Sequence, residues 1–94
     1  MAPLPAAKVK LMVRKLDPGW TVAPDAKSIQ RALKFNDFYR TISFVNAVAH
    51  IANTEDHHPD LEVGYDYCRI RYATHAIGGL SINDFICAAK VDRL

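Results

Sequence analysis

The stretch "DFYRTISFVNAVAHIAN", residues 37–53, constrains this chain more than any other. Phe38, Ile42, Val45, Ala49 and Ala52 recur at helical spacing, and Phe44, Val48 and Ile51 widen the apolar side. Asn36 or Asp37 supplies an N-cap, so the pattern predicts a helix from there to about Asn53. A stripe that wide faces a core on more than one side, or a core and a second subunit. Whatever the fold, the rest of the chain must build a surface for this helix to lie on.

Both flanks offer strands. Upstream, "GWTVAPD" reads as a short strand entering a turn, and "SIQRALKF" alternates with Ile29, Arg31, Leu33 and Phe35 on one face. A turn near Pro24–Lys27 joins them as a hairpin, although Arg31 is a charge on an otherwise apolar face. Downstream, "LEVGYDYCRIRYATH" splits at Gly64–Asp66 into a short strand and a longer one, with Cys68, Ile70, Tyr72 and Thr74 on one side. Val9, Met12, Val13 and Leu16 predict a short first helix over Lys8–Leu16, broken by "DPG". Ser81 caps a last helix, with Asp84 completing an Asp variant of the capping box and Ile82, Phe85, Ile86 and Ala89 as its apolar face. Hairpins separated by helices, in the order (α)ββαββα, predict an α+β fold: a four-stranded antiparallel sheet with helices packed on one face.

Ninety-four residues make one domain, 1–94, with residues 1–7 expected as a frayed lead-in. Net charge is only +2 and the basic residues form no block, so charge points to neither a nucleic acid nor a membrane surface. No apolar run reaches the roughly 18 residues a membrane helix needs, and the N-terminus lacks the pattern of a secretory signal. Cys68 and Cys87 have no metal-like spacing; one disulfide is open to them, and two buried thiols in a cytoplasmic protein is the expected state.

Chemistry concentrates at "EDHHPD", where two of the four histidines lie side by side as the central helix ends. Imidazole exchanges protons near neutral pH and also ligates metals. His57 and His58 are adjacent and so point apart; His75 follows the longer strand at the lip of a Gly-Gly loop; His50 sits on the helix and is expected to pack or meet solvent. Three readings compete: histidines interacting with the carbonyls of a helix end, a zinc site, and an acid–base site. Neither HxH nor HExxH is present, and no cysteine is spaced to help a metal.

"HHPD", then Tyr65, then "THAIGGLSINDF", together resemble the pterin-4a-carbinolamine dehydratase family. "GW" at Gly19–Trp20, "FNDF" at Phe35–Phe38 and "FVNAVA" at Phe44–Ala49 are also similar to it, so the likeness runs in order from about Leu16 to Asp92. The resemblance implies the same α+β fold and assembly into homodimers or homotetramers. It implies loss of water from a 4a-hydroxytetrahydropterin to give the quinonoid dihydropterin, a step in tetrahydrobiopterin recycling, with no cofactor and no metal. His57 and His75 would be the catalytic acid–base pair. His58, Pro59, Thr74 and Asp84 would stand on the substrate side, with Asp84 also placed to orient a histidine or simply to cap its helix. Two other roles travel with such a resemblance: stabilising a transcription-factor dimer, or binding pterin without catalysis. This chain departs from the family pattern at Asn53, where a charged residue is usual, at Ala76, where Asp is frequent, and in its short first helix.

Overall fold

The computed structural model describes residues 2–94. The elements are α1 (Ala6–Val13), β1 (Thr21–Val22), β2 (Ile29–Lys34), α2 (Phe38–Glu55), β3 (Asp60–Val63), β4 (Tyr67–Tyr72) and α3 (Ile82–Val91), with a single 3-10 turn at His75–Ile77. The strands form one antiparallel sheet in the order β1-β2-β4-β3. The expected fold class and element order are therefore both present.

Each hairpin follows from its turn. Ala26 takes a left-handed φ of 58° between β1 and β2, and Ala23 N–H closes the turn on Ser28 O. Between β3 and β4, Gly64 N–H donates to Tyr67 O; a Cβ at position 64 would lie 2.0 Å from the Tyr67 ring, so only glycine fits. Register then fixes the faces. Ile29, Arg31 and Leu33 oppose Tyr72, Ile70 and Cys68, and this face meets the helices. Gln30, Ala32 and Lys34 oppose Arg71, Arg69 and Tyr67 on the bare face, where Arg69 pairs with Glu62, Arg71 with Asp60 and Lys34 with Asp66.

The charge on the apolar face has a partner. Arg31 donates to Asp92 at 2.7 Å, and Asp92 also accepts Trp20 Nε1–H and Asp17 N–H at 2.8 Å each. One carboxylate near the C-terminus thus ties β2, the segment before β1 and the end of α3 together. Around it lies a core of Val9, Trp20, Ile29, Val48, Ile70, Tyr72, Leu80 and Phe85, with Cys68 and Cys87 buried as free thiols.

Several expectations need correcting. The lead-in is not loose at Leu4, whose N–H donates to Leu80 O, and α1 spans Ala6–Val13 rather than Lys8–Leu16. On α2 the buried positions are Thr41, Val48 and Ile51, while Phe38 is half exposed. The reason is polar: Thr41 is fully buried because its hydroxyl serves the carbonyls of Asp37 and Tyr65, and that contact rotates the helix away from the Phe38 stripe. On α3 the core takes Phe85, Cys87, Ala88 and Val91, and leaves Ile82 and Ile86 in solvent. Here too a polar residue sets the rotation, because Asp84 points inward and is fully buried.

Candidate active site

α2 ends where Asp56 adopts a left-handed conformation, φ 51° and ψ 43°. Asp tolerates that conformation better than most residues. The N–H groups of Asp56 and His57 both return to Ala52 O, which closes the helix. This tight stop swings His57 back over the sheet. Pro59 then holds the residue before it, His58, extended on the way into β3.

The His57 side chain is only 15% exposed, and its Nε2 lies 2.5 Å from Asp84 Oδ1. Its ring stacks over Tyr72, 6.1 Å between centroids at 13°. Asp84 arrives from the first turn of α3. Its second oxygen accepts Ser81 N–H at 2.9 Å, the reach-back half of a capping box, and the Thr74 hydroxyl at 2.7 Å. Thr74 is in turn 2.8 Å from the Ser81 hydroxyl. Both oxygens of Asp84 are thus engaged, and the cap role and the histidine-orienting role coexist. The residue itself is fully buried.

Acceptance by Asp84 decides where the His57 proton sits. A carboxylate only accepts, so the hydrogen of this bond sits on Nε2, and in the neutral imidazole it is then Nδ1 that holds the lone pair. The Tyr72 hydroxyl is buried and has no hydrogen-bond partner among the described residues, and burial pushes its ionisation well above the ordinary tyrosine value, with Cys87 and Asp84 adding to the effect.

The other histidines are placed differently. His75 opens the 3-10 turn, is 71% exposed, and has Nε2 3.9 Å from Asp60 Oδ2. It lines a hollow of about 270 Å³ together with Arg71, Ala73, Thr74, Gly78, Gly79 and residues of the β1–β2 turn. His57 is not part of that wall; it connects to it through Asp84 and Thr74, the residue next to His75. His58 and His50 are exposed, and neither makes a side-chain hydrogen bond or ion pair among the described residues. Pro59 is half buried, at the entry to β3. Among the described residues, no three His, Cys, Asp or Glu side chains are placed to hold a metal ion.

Sequence reasoning misses three participants. Tyr72 reads as an ordinary core residue of β4, and its role as the shelf under His57 depends on a long-range contact. Ser81 reads as a helix cap, without its bond to Thr74. Asp60 draws no attention, although as the last residue of "EDHHPD" it begins the strand that brings it beside His75.

The family profile described as pterin 4 alpha carbinolamine dehydratase matches residues 2–94. A provisionally named pterin-4-alpha-carbinolamine dehydratase of Legionella pneumophila strain Corby is 54% identical over 93 residues, covering 99% of this chain and 82% of that protein. One of the same provisional name from Nitrosomonas europaea is 52% identical over 92 residues, covering 98% and 80%. Among solved structures, a transcriptional coactivator/pterin dehydratase from Brucella melitensis superposes with a TM-score of 0.90 at 30% identity, over 97% of this chain and 96% of that one. A pterin dehydratase-like protein described as a RuBisCO assembly factor in the alpha-carboxysome shares the fold, with a TM-score of 0.68 at 20% identity, over 80% and 87%.

Proposed function

The chain belongs to the pterin-4-alpha-carbinolamine dehydratase family, and from that premise we propose that it removes water from 4a-hydroxytetrahydropterins by histidine acid–base catalysis. The observation that carries this reading is the buried hydrogen bond from His57 to Asp84, continued to Thr74 beside His75. It gives one histidine a fixed tautomer within a network that ends next to a second, exposed histidine.

The chemistry needs two proton transfers. Hydroxide is a poor leaving group from C4a unless protonated, and the neighbouring ring nitrogen must lose its hydrogen as the C=N bond forms. His57 keeps its Nε2 hydrogen on Asp84 and offers Nδ1, so it is the base that takes the ring-nitrogen proton. The carboxylate then stabilises the resulting imidazolium, as the third member of a nucleophile–base–acid triad does. His75, in its protonated form, gives its proton to the departing hydroxyl, which leaves as water. The electron pair of the C–O bond goes with that water, and the electrons of the N–H bond become the new double bond. Proton balance is restored by transfer from His57 to solvent and from solvent to His75. His58 holds the substrate, and Pro59 and Thr74 shape its seat.

No step requires a metal or a redox cofactor. We propose further that the chain works as a homodimer or homotetramer, and in the cytoplasm, where free thiols such as Cys68 and Cys87 stay reduced. The test is dehydration kinetics on freshly generated 4a-hydroxytetrahydropterin, with and without exhaustive chelation. Acceleration that survives chelation supports the reading; no acceleration, or activity lost with a stoichiometric metal, overturns it.

A further inference from the structure

Among the described residues, the His75 side chain makes no hydrogen bond. It is 71% exposed, and the carboxylate it faces, Asp60 Oδ2, stands at 3.9 Å, beyond hydrogen-bonding length. The position of the ring is therefore set by the backbone of the turn that carries it. That turn is short. Thr74 N–H donates to Gly79 O at 2.8 Å, Gly78 N–H returns to His75 O at 3.1 Å, and a single 3-10 turn, His75–Ile77, lies between.

The two glycines that close the turn answer different needs. Gly78 is left-handed, φ 67°, and a Cβ there would meet nothing within 4 Å, so its need is conformational. Gly79 has no positive φ, and its backbone accepts any residue. What it lacks is room. A Cβ at position 79 would lie 2.7 Å from Pro3 Cβ and 3.5 Å from Pro3 Cγ, and the three atoms nearest to it all belong to Pro3.

The contact continues one residue on. Leu4 N–H donates to Leu80 O at 2.8 Å, and the Leu4 side chain packs against the core. Residues 3 and 4 thus lie along Gly79 and Leu80. The other end of the turn is held differently: the Thr74 hydroxyl reaches Asp84 at 2.7 Å and Ser81 at 2.8 Å.

We infer that residues 3 and 4 form a brace that positions His75. Pro3 against Gly79 and Leu4 on Leu80 fix the far end of the turn, as the bond from Thr74 to Asp84 fixes the near end. The brace seats closely because position 79 carries no side chain. This inference rests on the role proposed for His75, but the hold on the turn is read without turnover.

Two substitutions test it from opposite sides. Gly79→Ala suits the local backbone and obstructs Pro3; Pro3→Gly removes the obstructed ring. A displacement of about 1 Å at a reacting group costs on the order of 10²-fold in rate. Gly79→Ala should therefore lower kcat by about tenfold or more, with a smaller change in KM. Pro3→Gly should lower kcat less, and adding Gly79→Ala to it should cost nothing further, because residues in contact couple. In a His75→Ala background neither substitution should slow dehydration again. Hydrogen exchange at Thr74 N–H, which bonds Gly79 O, should quicken in both single variants while the amides of β4 stay protected.

If Gly79→Ala costs as much with Pro3→Gly as without it, or if Thr74 exchange is unchanged in Pro3→Gly, the inference fails, and the dehydratase reading stands as long as wild type turns over. Further loss in the His75→Ala background also overturns it, since the segment would then serve the fold and not the histidine. If wild type accelerates no dehydration but Thr74 exchange quickens in both variants, the hold on the turn stands and the dehydratase reading fails.

Discussion

Nε2 of His57, just past the end of α2, lies 2.5 Å from Oδ1 of Asp84 in the first turn of α3, across 27 positions of sequence. No local motif pairs them. The pairing exists because α2 stops sharply at Asp56 and α3 begins with its acidic residue turned into the core. Replacing Asp84 by Asn should therefore disturb catalysis through His57, because an amide can donate where the carboxylate only accepted, and so favour the wrong tautomer. The expected loss in kcat is about 10²-fold or more. The role proposed for Asp84 is to position His57, so the deciding readout is ¹⁵N NMR of His57. The variant should lose the hydrogen at Nε2, and the pH profile of kcat/KM should move. A variant with normal tautomer and normal profile but slower turnover would contradict the assignment.

The proposed roles of the histidines can be separated by substitution. His57→Ala and His75→Ala should each slow dehydration by roughly 10²-fold or more, the scale of a lost acid or base. His58→Ala should chiefly raise KM. His50 is exposed on α2, away from Asp84 and from the hollow, and its Ala variant should match wild type. Equal losses from His50→Ala and His57→Ala, measured by stopped-flow dehydration, would displace the site.

The histidine pair, the helix order and the antiparallel sheet are legible because each depends on short-range pattern: alternation in β2 and β4, periodicity in α2, turn residues at Gly64–Asp66. Rotations are not. The α2 face reads as a stripe through Phe38 and the α3 face as a stripe through Ile82 and Ile86. In both helices one buried polar residue, Thr41 or Asp84, sets the angle through hydrogen bonds to distant chain. Apolar counting cannot weigh such bonds, since a hydroxyl or carboxylate reads as surface until its partner is known. The same blindness hides Asp60 beside His75 and makes Arg31 look like an error in its strand, when Asp92 waits for it 61 residues away.

That last contact predicts stability. Asp92 accepts hydrogen bonds from Arg31, Trp20 and the Asp17 backbone, and the Arg31 and Asp92 side chains are only 19% and 15% exposed. Truncating Asp92 to Ala leaves an indole N–H and an amide without their acceptor, and leaves the guanidinium with only the longer pairing to Asp17 at 3.5 Å. The cost should approach the ~3–5 kcal/mol of breaking a buried pair from one side. In a domain this small the melting temperature should fall by about 10 °C or more. Asp92→Asn, which keeps one acceptor, should lose less. Calorimetry that ranks the two variants equally would mean that the clamp is not held by the acceptor.

Alkaline pH should weaken the fold through Cys87. Burial, with Glu55 and Asp84 adding and Lys90 opposing, pushes its thiol from an ordinary 9.0 up to about 11. Burial moves Cys68 in the same direction. Between those values the native chain keeps a proton that the unfolded chain has released, so stability is fully present below the unfolded value and is lost as pH rises through about 11. Urea midpoints should decline from about pH 9 upward, and Cys87→Ala should flatten that decline, whatever its constant cost at neutral pH. Identical slopes for the two proteins would assign the alkaline loss elsewhere.

Exposed apolar side chains predict assembly. Phe38 is 51% and Tyr39 80% exposed on α2, and Ile82 is 53% exposed on α3. Leu61 and Val63 belong to the helix-side face of β3, yet they stay 37% and 39% exposed on that edge strand. An edge strand with unpaired backbone and apolar neighbours is a ready template for a second copy. Apolar surface of this kind marks an interface more often than it faces water. A homodimer or homotetramer with helices and the β3 edge at its contacts should therefore form at micromolar concentration, burying more than about 1,000 Å² in total. Sedimentation velocity decides the matter. Val63→Lys, on the edge strand of the sheet, should shift the population toward monomer. An active wild-type monomer at the same concentration would refute the assembly and leave these five side chains exposed in the working protein.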